Sequence, residues 1–177
     1  MGMTPLEGLV MGTRCGDVDP ALMPTLARIT GKSMGEIDNI FNKKSGMLGL
    51  TGMSNDMRTL EDAAMEGNER ADLALSIYCY RLKKYIGAYT AALGRVDALV
   101  FTGGVGENSD IVRQRCLEGM DLLGYALDQE KNAGTREREA DLSMPDSRAK
   151  VLVVPTNEEL MIAQDTAKLL SQQEVGP

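Results

Sequence analysis

The clearest pattern of apolar and polar positions lies between residues 69 and 93. Apolar side chains recur there three or four positions apart, at Ala71, Leu75, Tyr78, Leu82, Tyr85, Tyr89 and Leu93. That spacing places them on one face of an α-helix. Gly94 follows directly, and glycine commonly ends a helix. The pattern predicts a helix over residues 69–93, long enough to cross a sheet or to pack against a partner.

Shorter helices are predicted before this one. Asp19-Pro20 reads as an N-cap followed by proline at the first helical position, which predicts a helix to about residue 29. Ser33 and Glu36 have the spacing of a capping box at the start of a second helix. Residues 43–55 contain three glycines and predict a loop with one short helical turn, and a third helix follows over residues 56–65.

Two short apolar runs, residues 98–101 and 151–154, are typical of buried strands. A turn and a predicted helix follow each run, the first helix over residues 109–120 and the second over 157–170. Two strand–turn–helix units in a helix-rich chain predict an α/β domain, which we assign to residues 1–170, with 171–177 as a tail.

The predicted sheet has few strands for a doubly wound α/β domain. Residues 124–127 allow one further short strand, but the domain is still expected to be incomplete. Residues 129–148 are charged and irregular, and they are expected to form an excursion on the surface.

Composition narrows the range of functions. The net charge of −7 argues against a general nucleic-acid binder, and no apolar run approaches the ~20 residues of a membrane helix. Histidine is absent, which excludes a self-contained Ser-His-Asp triad and the usual zinc sites. Three widely spaced cysteines fit a reducing cytoplasm better than a disulfide framework. The remaining polar groups suit phosphoryl transfer, which relies on positioning and charge stabilisation.

Three glycines follow the first predicted strand, within the segment from Phe101 to Asn108. Glycine allows a ligand to approach the backbone closely, and ligands gather at the carboxyl ends of strands in α/β sheets. A tight turn that needs small residues would give the same pattern, so nucleotide binding and a plain turn both remain open. The segment is not a dinucleotide fingerprint, because position 109 is serine.

Two polar segments near the start of the chain each have a functional and a structural interpretation. Arg14 lies between two glycines and could bind phosphate or carboxylate, although a salt bridge in a surface loop explains the pattern better. Residues 54–58 are polar and open a predicted helix, where Ser54 or Asp56 would serve as the N-cap.

A third polar segment follows the second predicted strand. Thr156 and Glu159 have capping-box spacing, which gives Glu159 a structural role. Glu158 is then left to face a cleft and hold Mg²⁺ through water. An acidic residue in the first helical turn is also favoured by the helix dipole, and the pattern alone supports this simpler explanation better.

Taken together, three long segments resemble the acetate kinase family, which includes propionate and butyrate kinases. They are MGMTPLEGLVMGTRCGDVDP at residues 1–20, with Cys15 where serine is usual, VFTGGVGENS at 100–109 and VVPTNEELMIAQDT at 153–166. Their order and spacing match, and the TPLEGL–MGTR segment favours the acetate and propionate branch over butyrate kinase. The resemblance covers almost all of the chain up to about residue 170.

The resemblance implies a sugar kinase/actin/Hsp70-like (ribonuclease H-like) fold of the α/β class, in a two-domain enzyme that binds ATP and Mg²⁺ in its cleft. It implies reversible phosphoryl transfer between ATP and a short-chain carboxylate, acetate or propionate, to give an acyl phosphate. Arg14 would grip the carboxylate or the transferred phosphoryl group, and Glu158 would help to bind Mg²⁺. The residues implied for the nucleotide site are Asp56, Met57, Arg58, Gly104, Val105, Gly106, Glu107 and Asn108.

Members of this family are homodimers and are more than twice as long as this chain. The resemblance therefore implies the C-terminal, nucleotide-binding part of such a kinase, without the N-terminal domain that carries its own catalytic arginine and aspartate. Half of the cleft is expected to bind nucleotide weakly and to show no kinase activity. A non-catalytic nucleotide-binding or dimerisation module of the same fold remains the alternative.

Overall fold

A computed structural model of the chain describes residues 2–173, with side chains described to Ser171. The α-helices of this part are α1 (Leu22–Thr30), α2 (Met34–Lys43), α3 (Gly46–Thr51), α4 (Met57–Met65), α5 (Glu69–Leu93), α6 (Gly103–Asn108), α7 (Asp110–Leu117), α8 (Gln129–Asn132) and α9 (Glu158–Gln173). The strands are β1 (Ala98–Phe101), β2 (Ala140–Asp141) and β3 (Lys150–Val153).

Helix α5 has the bounds that its sequence pattern predicts. The Asn68 side chain accepts a hydrogen bond from the Ala71 amide at 3.0 Å, and Gly94 ends the helix with a φ of 72°. The inner face is buried as far as Ile86. Tyr89 and Leu93 are 62% and 68% exposed, so the far end of the predicted apolar stripe faces solvent rather than the core.

Helices α2 and α4 also follow local signals. Helix α1 instead begins at Leu22, after the predicted Asp19-Pro20 start, and Ala21 precedes it without a side-chain cap. The capping box of Ser33 and Glu36 is present at the start of α2, with both of its hydrogen bonds formed. Asp56 caps α4 through its side chain, as predicted for that helix start. Helix α3 provides the short helical turn expected between residues 43 and 55. None of the helices in the described part is long and apolar enough to span a membrane.

The described sheet has three strands in the order β1-β3-β2. Strand β3 lies in the centre and pairs parallel with β1, in a register that sets Leu99 opposite Val151. Strand β2 pairs antiparallel with the other side of β3. The third strand therefore forms at residues 140–141, and the 124–127 segment contributes only a bridge between Leu127 and Ser143.

The sheet, α5 and α7 enclose the larger hydrophobic core. Its fully buried members include Val112, Cys116, Leu142 and Val151. A second cluster of buried residues lies between α3, α4 and α5 and contains Met47, Leu60, Ala74 and Leu75. Because α5 contributes to both clusters, it joins the sheet to the helices that precede it.

The glycine segment after β1 is helical rather than a plain turn. Gly103 has a φ of 70° and directs the chain out of β1 into α6. Ser109 then caps α7, whose Val112 amide donates to the Ser109 hydroxyl oxygen at 3.0 Å. Helix α7 ends at Leu117, before the predicted residue 120, because Gly119 has a φ of 69° and the Met120 amide turns back to the Leu117 carbonyl.

Residues 129–148 were expected to form a surface excursion, and most of them are exposed, but that expectation is wrong for part of the segment. Asn132, Thr135, Leu142 and Ser143 are all buried. The segment supplies α8 and β2, and it is drawn inward by hydrogen bonds to the buried Arg113 guanidinium.

The start of α9 differs from the predicted capping box. The Leu160 amide donates to the Asn157 side chain at 3.1 Å, so Asn157 caps the helix. Thr156 instead donates to Glu107, which takes it out of the predicted pairing with Glu159. The described side chains of α9 are exposed, and the helix continues to Gln173, past the predicted boundary at 170. The rest of the predicted tail, 174–177, lies outside the described residues.

Candidate nucleotide site

A cavity of about 640 Å³ lies beside the carboxyl end of β1. Three parts of the chain form its walls: the start of α4, the α6 segment with the cap of α7, and the loop between α8 and β2. The lining residues are Asn55, Asp56, Met57, Arg58, Glu61, Gly104, Val105, Asn108, Ser109, Arg136 and Glu137. Six of the eight residues that the sequence implied for the nucleotide site are among them.

The first wall is the capped start of α4. Asp56 accepts a hydrogen bond from the Arg58 amide at 2.9 Å, and its other carboxylate oxygen lies 3.1 Å from the Arg58 guanidinium. The Arg58 side chain is the main reason that the pKa of Asp56 lies below its ordinary value. This arrangement exposes the Arg58 side chain, so it can move to a ligand without leaving a buried charge behind.

The second wall is the glycine segment, in which each glycine has a different role. Gly103 supplies the turn through its positive φ. A Cβ added to Gly104 would meet no atom within 4 Å, so this position is open to the cavity. A Cβ on Gly106 would come within 3.3 Å of the Phe101 carbonyl carbon, so Gly106 allows α6 to pack against β1. Asn108 braces the segment by donating to the Gly104 carbonyl at 3.0 Å.

Glu107 belongs to the same segment but is not among the residues that line the cavity. One carboxylate oxygen accepts hydrogen bonds from the Gly103 amide at 2.7 Å and from the Thr156 amide at 2.8 Å. The Thr156 amide is the main cause of a pKa for Glu107 below its ordinary value. Gly106 does not line the cavity either. Gly106 and Glu107 therefore hold the glycine segment in place without facing the cavity.

The third wall, Arg136 and Glu137, was not identified from sequence. Glu137 has a φ of 48° and is the only non-glycine residue with a positive φ in the described part of the chain. Such a conformation costs about 1–3 kcal/mol and is found where surrounding structure enforces it. No local signal in the sequence marks these two residues. Glu61 was also missed, although its position one helical turn after Met57 places both on the same face of α4.

Arg113 holds the third wall against the second. Its guanidinium is fully buried and donates to the Gly106 carbonyl at 2.8 Å and the Thr135 carbonyl at 2.7 Å. It also donates to the Asn132 side chain at 2.8 Å. Burial lowers the pKa of Arg113 from its ordinary value. The Arg113 guanidinium therefore joins the second and third walls of the cavity.

Arg14 lies in a different segment, a loop closed by Asp17. The Gly8 amide donates to the Asp17 carboxylate at 2.7 Å, and the Asp17 amide donates back to the Gly8 carbonyl at 2.9 Å. Within this loop the Arg14 Nε is sealed from solvent and has no hydrogen-bond partner among the described residues. Arg14 does not line the 640 Å³ cavity, although the loop approaches it where Gly12 packs against Asn55.

Glu158 begins α9 with an exposed side chain. No group of three or more His, Cys, Asp or Glu residues in the described part of the chain could hold a metal ion by itself. Mg²⁺ that is carried by a nucleotide needs only one or two protein carboxylates, because phosphates and water complete its coordination. The single carboxylate of Glu158 is therefore compatible with Mg²⁺ that is bound to a nucleotide, and not with a magnesium site made only of protein ligands.

Comparison with known proteins identifies the family. The model of the acetokinase family matches residues 1–164. Acetate kinase of Halothermothrix orenii is 54% identical over 170 residues, which are 96% of this chain and 42% of that protein. The chain belongs to the acetokinase family, as the resemblance of the three segments implied.

Solved structures agree with this assignment. The crystal structure of Porphyromonas gingivalis acetate kinase has a TM-score of 0.91 at 52% identity, over 96% of this chain and 43% of that one. A propionate kinase from Francisella tularensis has a TM-score of 0.86 at 42% identity, over 93% of this chain and 41% of that one. These neighbours confirm the predicted helix-rich α/β fold class. The chain spans less than half the length of the relatives it matches.

Proposed function

We propose that this chain supplies the nucleotide-binding face of a kinase that transfers a phosphoryl group between ATP and acetate or propionate. The observation that carries the proposal is the cavity itself. It brings Asp56, Met57 and Arg58 from one segment together with Gly104, Val105 and Asn108 from another, more than forty residues away in sequence. A cavity at the carboxyl end of a parallel strand is the usual place for a nucleotide in α/β folds.

In the proposed reaction, a carboxylate oxygen of the substrate attacks the γ-phosphorus of ATP. The bond from that phosphorus to the bridging oxygen breaks, and ADP leaves with the bridging electrons. Arg14 is proposed to stabilise the negative charge on the transferred group, which is the role that arginine performs best in phosphoryl transfer. The loop that carries Arg14 approaches the cavity where Gly12 packs against Asn55, which supports this role.

Glu158 and the nucleotide phosphates would hold Mg²⁺, which would neutralise charge on the phosphates. The carboxylate and the phosphoryl group must be held in line before Arg14 can accelerate the transfer. We propose that residues 1–170 form the nucleotide-binding domain and that the remaining length found in the relatives supplies the other side of the cleft. A cytoplasmic homodimer, acting on acyl phosphate in the reverse direction, is part of the same proposal.

The activity is tested with a chimera in which residues 1–170 replace the matching segment of Halothermothrix orenii acetate kinase. The chimera is expected to make ATP from ADP and acetyl phosphate, whereas the 177-residue chain alone is expected to make none. Arg14→Ala in the chimera should lower kcat by about 10³-fold or more, as loss of a charge-stabilising arginine does. Arg28→Ala, on the exposed side of α1, is the matched control and should leave the rate within twofold. A folded chimera without activity would contradict the proposal.

A further inference from the structure

Glu61 is a nearly buried carboxylate in the wall of the cavity, with an exposed fraction of 6%. One of its oxygens accepts a hydrogen bond from the Ser109 hydroxyl. The Ser109 hydroxyl is the donor in this bond, because an ionised carboxylate can only accept, and the Ser109 oxygen itself accepts the Val112 amide. Glu61 therefore joins α4 to the cap of α7.

The second oxygen of Glu61 has no hydrogen-bond or ion-pair partner among the described residues. It is not sealed in the protein either, since Arg14 Nε is the only described buried side-chain atom without a partner. It therefore opens into the cavity that Glu61 lines. Burial also raises the pKa of Glu61, and the Ser109 bond only partly opposes this effect.

A buried carboxylate with a hydrogen bond to only one of its oxygens costs free energy of folding. The cost would be offset by a ligand that donates a hydrogen bond to the open oxygen. The charge of Glu61 excludes a phosphate at the same point, because two anions would repel. It favours the part of a nucleotide that is uncharged and carries hydroxyl or amino hydrogens.

Resting on the proposed function of the cavity, we propose that Glu61 is a recognition residue for the nucleoside part of the bound nucleotide. Its open oxygen accepts a hydrogen bond from a hydroxyl of the sugar or an amino group of the base. The phosphates would then point away from Glu61. Glu61 contributes to nucleotide selectivity and takes no part in phosphoryl transfer.

The test is a calorimetric titration of the full chain with MgADP, comparing Glu61→Gln with the wild type. Glutamine retains an oxygen for the Ser109 hydroxyl but presents an NH₂ group, a donor, to the cavity. We expect at least tenfold weaker binding. Asp62→Asn removes the same charge from the next residue of α4, which is exposed and outside the cavity, and should stay within twofold of the wild type.

Analogues identify the hydrogen that Glu61 accepts. 2′-Deoxy-ADP and 3′-deoxy-ADP each lack one hydroxyl, and IDP lacks the amino group. For the analogue without the recognised donor, wild type and Glu61→Gln should bind equally, while the other two analogues retain the tenfold difference. Glu61→Asp keeps the charge but shortens the side chain by one methylene, and it should also weaken MgADP binding. It replaces Glu61→Gln in the test if the glutamine variant does not fold.

The outcomes separate this inference from the function on which it rests. Equal MgADP binding by wild type and folded Glu61→Gln would overturn the role of Glu61 and leave the nucleotide site intact. An undiminished tenfold difference for all three analogues would also overturn it, because none of these donors would then be recognised. Absence of MgADP binding in the wild type would overturn both proposals together.

Discussion

The carboxylate of Glu107 accepts the backbone amide hydrogen of Thr156 at 2.8 Å, and so joins the segments that follow β1 and β3. The same oxygen accepts the Gly103 amide at 2.7 Å. Two parallel strands that are neighbours in the sheet are thereby tied together just beyond their carboxyl ends. These hydrogen bonds fix the glycine segment, which is the second wall of the cavity, relative to the start of α9, where Glu158 lies.

Glu107→Ala should loosen this connection and reduce stability at neutral pH. The loss should depend on pH, because hydrogen bonds hold the folded pKa of Glu107 below its ordinary value of 4.5. A lowered pKa gives stability that is fully present above the ordinary value and is lost as pH falls through the folded pKa. Urea unfolding from pH 7 to pH 3 measures the difference between wild type and variant. Glu139→Ala, at an exposed position, is the control, and a difference that grows toward low pH would contradict the assignment.

Arg113→Met should lower the free energy of unfolding by at least ~3 kcal/mol. The substitution leaves several buried carbonyl oxygens without a donor, and each orphaned acceptor costs about 1–3 kcal/mol. Urea unfolding at pH 7 provides the measurement. Arg95→Met removes an exposed arginine whose pair with Asp97 lies in solvent, and it should cost less than ~1 kcal/mol. Similar losses in the two variants would show that Arg113 does not hold the walls together.

Glu137→Gly should raise the free energy of unfolding by about 0.5–1 kcal/mol. Glycine adopts the observed φ of 48° without the strain that a side chain imposes there, although it gains freedom in the unfolded chain. Glu139→Gly, two residues along, has no positive φ to relieve and should be neutral or destabilising. Thermal unfolding of both variants compares them directly. A destabilised Glu137→Gly would mean that the Glu137 side chain makes a favourable contact that outweighs the strain.

The three cysteines should differ in their reaction with iodoacetamide. Burial raises the pKa of Cys79 to about 11 and that of Cys116 to about 12, and both side chains are inaccessible. Cys15 is only partly buried, and its pKa is also raised, mainly by burial. Because the thiolate is the reactive form, native protein at pH 8 should be modified slowly and at Cys15 alone. Mass spectrometry should then find three modified thiols after denaturation. Rapid native modification of Cys116 would contradict its burial.

The elements that the sequence predicts correctly are those with a local signal. The bounds of α5 follow from a long periodic pattern and its terminal residues, and the Ser33–Glu36 capping box needs only residues of one helical turn. Strand β1 is likewise a short apolar run with clear limits. In each case the residues that determine the element are the residues that form it.

The features that the sequence does not predict are those determined by a distant partner. Thr156 is positioned to cap α9, but Glu107 binds it instead. Residues 129–148 read as a charged surface segment, yet Asn132 and Thr135 are buried because Arg113 donates to them. Arginine is rarely fully buried, so no pattern indicates that position 113 would draw this segment inward. The third wall of the cavity was missed for the same reason.

Nucleotide binding in the 640 Å³ cavity is tested by titrating the chain with MgADP in a calorimeter. Gly104→Val places a side chain in the cavity at a position where an added Cβ meets no atom within 4 Å. Gly35→Val is the matched control, because Gly35 is also the second residue of a helix and is equally open. Wild type and Gly35→Val should bind MgADP saturably, and Gly104→Val should not bind it. Equal binding by all three, or no binding by the folded wild type, would contradict nucleotide binding in the cavity.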